Sequence, residues 1–182
     1  MFFIKAKLSY FIIPAAVMFI SCESLVSTFE DSEEAVYYEA ANIQREDDIT
    51  GRFDIDVMTW NIRFGIARFP FFGDSCGDDV ILDDDTIEQN MAAIAESLNA
   101  MDADIVLLQE VDVSSKRTGY MDQVQYLLDN TELNYGCYAS MWKADFIPSD
   151  GIGRIDAGNA ILSKYKLDEE ERIQLCLRTD QE

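Results

Sequence analysis

The chain has 182 residues, of which 48% are hydrophobic, enough for one globular domain with a real core and too few for two of ordinary size. Thirty-five acidic against 14 basic residues give a formal charge of −21 and a pI near 4.1. That balance excludes a broad electrostatic grip on phosphate backbones, so a nucleic-acid partner would need local help such as a divalent metal. There is no histidine, which excludes Ser-His-Asp and Cys-His nucleophile systems and His-rich zinc sites for this chain taken alone.

The chain opens "MFFIKAKLSYFIIPAAVMFISCESL": a short basic region at Lys5 and Lys7, then a largely apolar segment of 13 residues from Leu8 to Ile20. A spanning helix needs about 20 apolar residues, so the segment reads as an export signal. Ser21 puts a small residue directly before Cys22, where the apolar run stops. This resembles the lipobox of bacterial lipoproteins, in which the cysteine is diacylated and becomes the mature N-terminus. The alternative is an ordinary secretory signal or an uncleaved anchor, with Cys22 incidental. The resemblance implies a signal peptide over 1–21 and a membrane partner reached through a lipid on Cys22 at the bacterial cell envelope, periplasmic or surface-exposed. Cleavage would remove two lysines and no acid, so lipid, not charge, would hold the protein to a membrane. Cys76, Cys137 and Cys176 show no C-x-x-C spacing; at most one pair among them can form a disulfide, and they suggest no metal site.

From 22 to 51 the sequence is polar and acidic, with "EDSEEA" and "QREDD", and reads as a solvated tether. The folded part, 52–182, starts at "FDIDVMTWNIRFG". Phe53, Ile55 and Val57 alternate with Asp54 and Asp56, as a strand entering a core would, and Asn61 stands at its end. Residues 66–84 carry Pro70, two glycines and several acids, the composition of a long loop. In "DTIEQNMAAIAESLNAM" the apolar positions Ile87, Met91, Ile94, Leu98 and Met101 recur at helical spacing, with Asp85 and Glu88 placed as a capping box. "DADIVLLQEVD" follows as a buried strand, Asp104 to Val111. A second helix is expected over Tyr120 to Leu128, with Met121, Val124 and Leu128 as its buried stripe. Three further strands follow: "NYGCYASMWKA", with Tyr135, Cys137, Ala139 and Met141 on one face; "GNAILSK"; and "ERIQLCLR", with Ile173, Leu175 and Leu177 alternating. Strand, helix, strand in that order predicts an α/β sandwich.

Glu110 ends an apolar strand, where a charge costs several kcal/mol unless it is paired, hydrated or bound to a cation. It emerges into solvent, meets an arginine, or holds a cation. Asn61 ends another strand, either as a turn residue or as a functional amide. If the two strands are neighbours, both residues stand at one sheet edge, where a carboxylate can hold a hard divalent cation and an amide can orient an oxyanion.

Five stretches in order, "VMTWNIRFG", "ADIVLLQEVD", "SSKRTGYMDQ", "YASMWKADF" and "GNAILSKYKL", resemble the endonuclease/exonuclease/phosphatase superfamily of deoxyribonuclease-like enzymes, inositol polyphosphate phosphatases and neutral sphingomyelinases. The resemblance runs from about Asp56 to Leu167 and beyond. It implies a partial four-layer α/β sandwich of mixed sheets flanked by helices, and Mg²⁺- or Mn²⁺-dependent hydrolysis of phosphoester bonds. It implies that Glu110 ligates the catalytic metal and that Asn61 positions metal-bound or phosphate oxygens. Arg117, Asp122, Gln123, Lys143 and Asn159 become substrate-binding candidates. Each has a plainer alternative: surface charge for Arg117 and Lys143, the wet face of a helix for Asp122 and Gln123, a turn after Gly158 for Asn159.

The chain also departs from the family's pattern. The later motifs, a G-D-x-N-like strand end and an S-D-H-like segment with a catalytic histidine, are not in this sequence. The expectation is an amino-terminal portion of the sandwich, incomplete or inactive as it stands, exposing apolar strand edges and prone to self-association. The competing expectation is a non-catalytic acidic surface lipoprotein or vestigial binding module. The substrate class, whether small molecule, lipid head group or nucleic acid, is open.

Overall fold

The computed structural model describes residues 27–43, 49–72 and 76–175; the expectations placed on the export segment, Cys22, Cys176 and Leu177 lie outside them. The elements in chain order are β1 (Ser32–Glu34), β2 (Val36–Glu39), β3 (Val57–Asn61), α1 (Asp84–Met101), β4 (Ile105–Asp112), α2 (Gln123–Asn130), β5 (Tyr135–Ile147), β6 (Gly153–Ser163) and β7 (Glu171–Ile173). Five strands make one mixed sheet in the order β2-β5-β6-β4-β3, and β1 pairs with β7 in a two-stranded ribbon.

Among the described strands only β3 and β4 pair in parallel, and α1 forms the crossover that a parallel pair requires. The helix buries Ile87, Met91, Ile94, Ala95 and Leu98, each large side chain contributing about 2 kcal/mol. Its cap is not the predicted box. Asp83, extended at φ −71° and ψ 149°, accepts a 2.9 Å hydrogen bond from the Thr86 amide, leaving Asp84 and Asp85 in the first turn beside the positive end of the dipole. Three consecutive aspartates offered no periodic signal to choose among them. The second helix starts three residues later than expected because Asp122 caps it, accepting from the Gln125 amide at 3.0 Å. It buries Gln123, Val124, Leu127 and Leu128.

The acidic segment is not all tether. Val36–Glu39 pairs antiparallel with Tyr135–Tyr138 as an edge strand of the main sheet, and Ser32–Glu34 pairs with β7. Edge strands tolerate acids because one side stays in water, so neither composition nor periodicity marked these two. The final strand is also shorter than predicted: β7 stops at Ile173, and Leu175 is 82% exposed.

The expected α/β sandwich architecture forms, and the described residues supply a helix layer and the main sheet. Leu108 of β4, Ala160 of β6 and Tyr138 of β5 are in register and buried under the helices. The opposite row, Thr59, Leu107, Ile161, Cys137 and Tyr37, crosses all five strands and is half-buried or exposed. The predicted apolar face of β5, Tyr135 with Cys137 and Ala139, therefore lies mainly on the uncovered side. Gly136 and Tyr138 face the core, because β5 alternates apolar residues on both faces and shifts register after Ser140. What the fold leaves exposed is thus a sheet face rather than only strand edges.

Candidate active site

The parallel pair ends at one edge of the sheet. Asn61, the last residue of β3, stands opposite Gln109 of β4, and its Oδ1 accepts a 2.9 Å hydrogen bond from the Arg63 amide. On its other side β4 runs in register with β6 from Leu108 opposite Ala160 to Val111 opposite Gly158. Two residues, Gln109 and Glu110, therefore face one, Asn159. This is a β-bulge, which re-aims side chains at a sheet rim. Glu110 takes the left-handed backbone, φ 55°, at a cost of about 1 to 2 kcal/mol for a residue with a Cβ. Such strain persists where surroundings over-determine it. Here Leu108 and Val111, 1% and 0% exposed, clamp both sides of the bulge into the core. Gly158 lets the strands approach, since a Cβ there would lie 2.0 Å from the Ala139 carbonyl oxygen.

Glu110 is left half-buried at the rim, and among the described residues no hydrogen bond or ion pair reaches its carboxylate. The neighbouring acids are all engaged. Asp112, fully buried, takes a bidentate grip from Arg117, with Nε at 2.8 Å and a terminal nitrogen at 2.7 Å, and accepts from the Thr118 hydroxyl at 3.0 Å. Asp156, 4% exposed, accepts from the Tyr138 hydroxyl at 2.9 Å and the Ser140 hydroxyl at 2.5 Å, and pairs with the Lys143 ammonium at 2.9 Å. Asp122 accepts from the Tyr38 hydroxyl at 3.2 Å besides capping α2. Burial first, then the adjacent carboxylates, pushes the phenols of Tyr38 and Tyr138 well above their ordinary range, so both remain hydrogen-bond donors.

The sequence candidates divide in two. Asn61, Glu110 and Asn159 come together at the rim, and Lys143 lies toward the same end of the sheet, since β5 and β6 run past Asp112 there. Arg117, Asp122 and Gln123 do not join them as ligand-facing groups. Arg117 is 3% exposed, held by Asp112 and stacked 3.5 Å over the Phe64 ring. Gln123, expected on a wet helix face or at the substrate, is fully buried. Its Oε1 accepts from the Asp112 amide at 2.9 Å and its Nε2 donates to the Phe64 carbonyl at 2.7 Å. These residues brace the site from beneath, tying β4 and α2 to the loop that follows Asn61. Sequence reasoning missed Gln109, Asp112 and Asp156; the polar run "QEVD" at a strand end was the available signal for the first two, and nothing local marked Asp156.

The model of the endonuclease/exonuclease/phosphatase family matches residues 58–181, which is most of the chain and all of the strands that build this edge. The chain belongs to that family. Searches of the curated proteins and of the solved structures returned no match. Membership in the endonuclease/exonuclease/phosphatase family sets the chemistry at a coarse level, phosphoesterase or nuclease-like hydrolysis, for which the family generally uses divalent metals. Among the described residues no group of three or more His, Cys, Asp or Glu is placed to hold a metal ion. The donors present still fit a hard cation. One carboxylate without a partner among the described residues, at the rim it shares with Asn61 and Gln109, is the oxygen-donor, carboxylate-poor kind of set on which Mg²⁺ is held, with water and substrate phosphate completing the shell.

Proposed function

We propose that this protein is a Mg²⁺- or Mn²⁺-dependent phosphoester hydrolase of the bacterial cell envelope, anchored by a lipid on Cys22. The observation that carries the hydrolase reading is Glu110: a half-buried carboxylate without a partner among the described residues, held in left-handed backbone beside Asn61. Unpaired, it is costly; given a divalent cation it is satisfied.

Glu110 would hold the metal, which when bound polarises a phosphoryl oxygen and offsets charge developing during in-line displacement. The Asn61 side chain, its oxygen fixed by the Arg63 amide, presents its amide hydrogens to a phosphoryl oxygen. Asn159, across the bulge, offers a second amide, while Lys143 at the same end of the sheet is already paired with Asp156 at 2.9 Å. Within these 182 residues there is no histidine to act as an imidazole base toward the attacking water. That absence favours a second reading, a non-catalytic acidic surface lipoprotein that binds a cation or phosphoester without turning it over.

The test is hydrolysis of bis-p-nitrophenyl phosphate and p-nitrophenyl phosphate with Mg²⁺, alongside a Mg²⁺ titration of Trp60 fluorescence in a Trp142→Phe background. Metal-dependent turnover lost in Glu110→Gln supports the enzyme. A Glu110-dependent fluorescence change without turnover supports the binding module, and no Mg²⁺ response refutes both. Anchoring stands on the sequence "FISCES" and is tested by palmitate labelling in cells, which Cys22→Ser would abolish.

A further inference from the structure

Beside Asn61, the rim opens into a groove of about 400 Å³ between edge strand β3 and the outer side of α1, within the range of small-molecule sites. Trp60 and Ile62 make its apolar wall, and α1 turns Asn90, Ala93 and Ser97 toward it. Charge sets this groove apart. Nearly one residue in five of the chain is acidic, yet the groove is lined by none and includes Arg63. Three other surface depressions each carry two or more acids, among them Glu34, Asp168 and Glu170 in one and Asp85 and Glu88 in another. An anionic phosphoester is repelled there and accepted here.

The wall next to Asn61 is also rigid before any ligand arrives. Arg63, Phe64 and Ala67 all have positive φ. The turn is held by the Arg63 guanidinium on the carbonyls of Ala67 and Phe69, by the Asn90 amide on the Gly65 carbonyl at 2.9 Å, and by Gln123 on Phe64. A preformed wall avoids the ordering cost that a loose loop would charge against binding.

We propose that this groove is a subsite for the organic group of the substrate: an apolar group, ring or alkyl chain, esterified to a phosphate whose oxygens lie at Asn61 and Glu110. This deepens the hydrolase reading and rests on it. The small side chains of Ala93 and Ser97 are what keep the groove open, so they set its specificity.

The experiment measures binding of inorganic phosphate, phenyl phosphate and octyl phosphate to the full chain with Mg²⁺, by Trp60 fluorescence in the Trp142→Phe background and by calorimetry. The expected result is that phenyl or octyl phosphate binds at least about tenfold tighter than inorganic phosphate, about 1.4 kcal/mol; which of the two gains more separates a ring from a chain. Ala93→Phe, at a solvent-exposed helix position, erases that gain and leaves inorganic phosphate binding unchanged; Ser97→Phe is the second variant. Equal affinities for all three, or a gain that survives both variants while Glu110→Gln still abolishes binding, overturns the groove and spares the site. If wild type binds none of the three, the hydrolase reading fails and the groove falls with it.

Discussion

Replacing Glu110 by glycine is expected to stabilise the protein while removing its metal response. Left-handed backbone costs a residue with a Cβ about 1 to 2 kcal/mol, and Glu110 sits there at φ 55°. Glycine avoids that cost but loses roughly 0.5 to 1 kcal/mol more chain entropy on folding. The difference favours Glu110→Gly by about 0.5 to 1 kcal/mol, which raises the melting temperature by roughly 1 to 4 °C for a domain of this size. Loss of a half-buried, unpartnered carboxylate acts in the same direction. Glu110→Gln keeps the backbone strain but loses the same carboxylate, so in EDTA it should melt between wild type and Glu110→Gly. Mg²⁺ should then reverse the order: at ten times its dissociation constant a cation that binds only the folded chain adds about 1.4 kcal/mol to wild type and nothing to either variant. The assay is urea unfolding in EDTA and in Mg²⁺ for all three proteins. If Glu110→Gly is less stable than wild type in EDTA, the bulge is not strained as described. If it retains the Mg²⁺ increment, the carboxylate is not the cation's ligand.

Arg117→Ala leaves the carboxylate of Asp112 buried and uncompensated, and should cost about 3 to 5 kcal/mol, read as a fall in the urea midpoint; Arg117→Lys keeps the charge but loses the bidentate grip and the stacking on Phe64, with a smaller fall. The Asp56 amide, against the opposing effect of burial, and then Tyr165, Arg52 and Lys164 hold Asp104 below the usual carboxylate range. A depressed folded pKa contributes stability above the unfolded value, about 3.9, that is lost as pH falls through the folded one. Asp104→Asn should therefore be less stable at neutral pH, with the gap to wild type narrowing below about pH 4 in unfolding curves. The uncovered sheet face should drive concentration-dependent association, and Ile161→Lys should weaken it in sedimentation velocity; a monomer at all concentrations would contradict this.

The long local signals survive in the fold because each is set by neighbours in sequence. The helical spacing from Ile87 to Leu98 buries one face whatever lies opposite it, and an apolar run such as Ile105 to Leu108 is a core strand in almost any arrangement. A strand ending in Asn61 was legible for the same reason; the strand carrying Glu110 runs on to Asp112, with Glu110 in a bulge that no local signal marked. The acidic strands β1 and β2 were not legible, since their place depends on partners more than 90 residues away, Tyr135–Tyr138 and Glu171–Ile173.

For the site, the sequence by itself supplied the chemical types, a carboxylate and an amide near two strand ends. Tertiary structure decided which of the candidates could use them. It set β3 beside β4 so that Asn61 meets Gln109, inserted a bulge so that Glu110 reaches the rim, and drew Arg117 and Gln123 inward to Asp112. A residue's type fixes what it can bind. Whether it is free to bind depends on which partner has already satisfied it, and for Arg117 and Gln123 that partner became visible only once the strands and helices had packed.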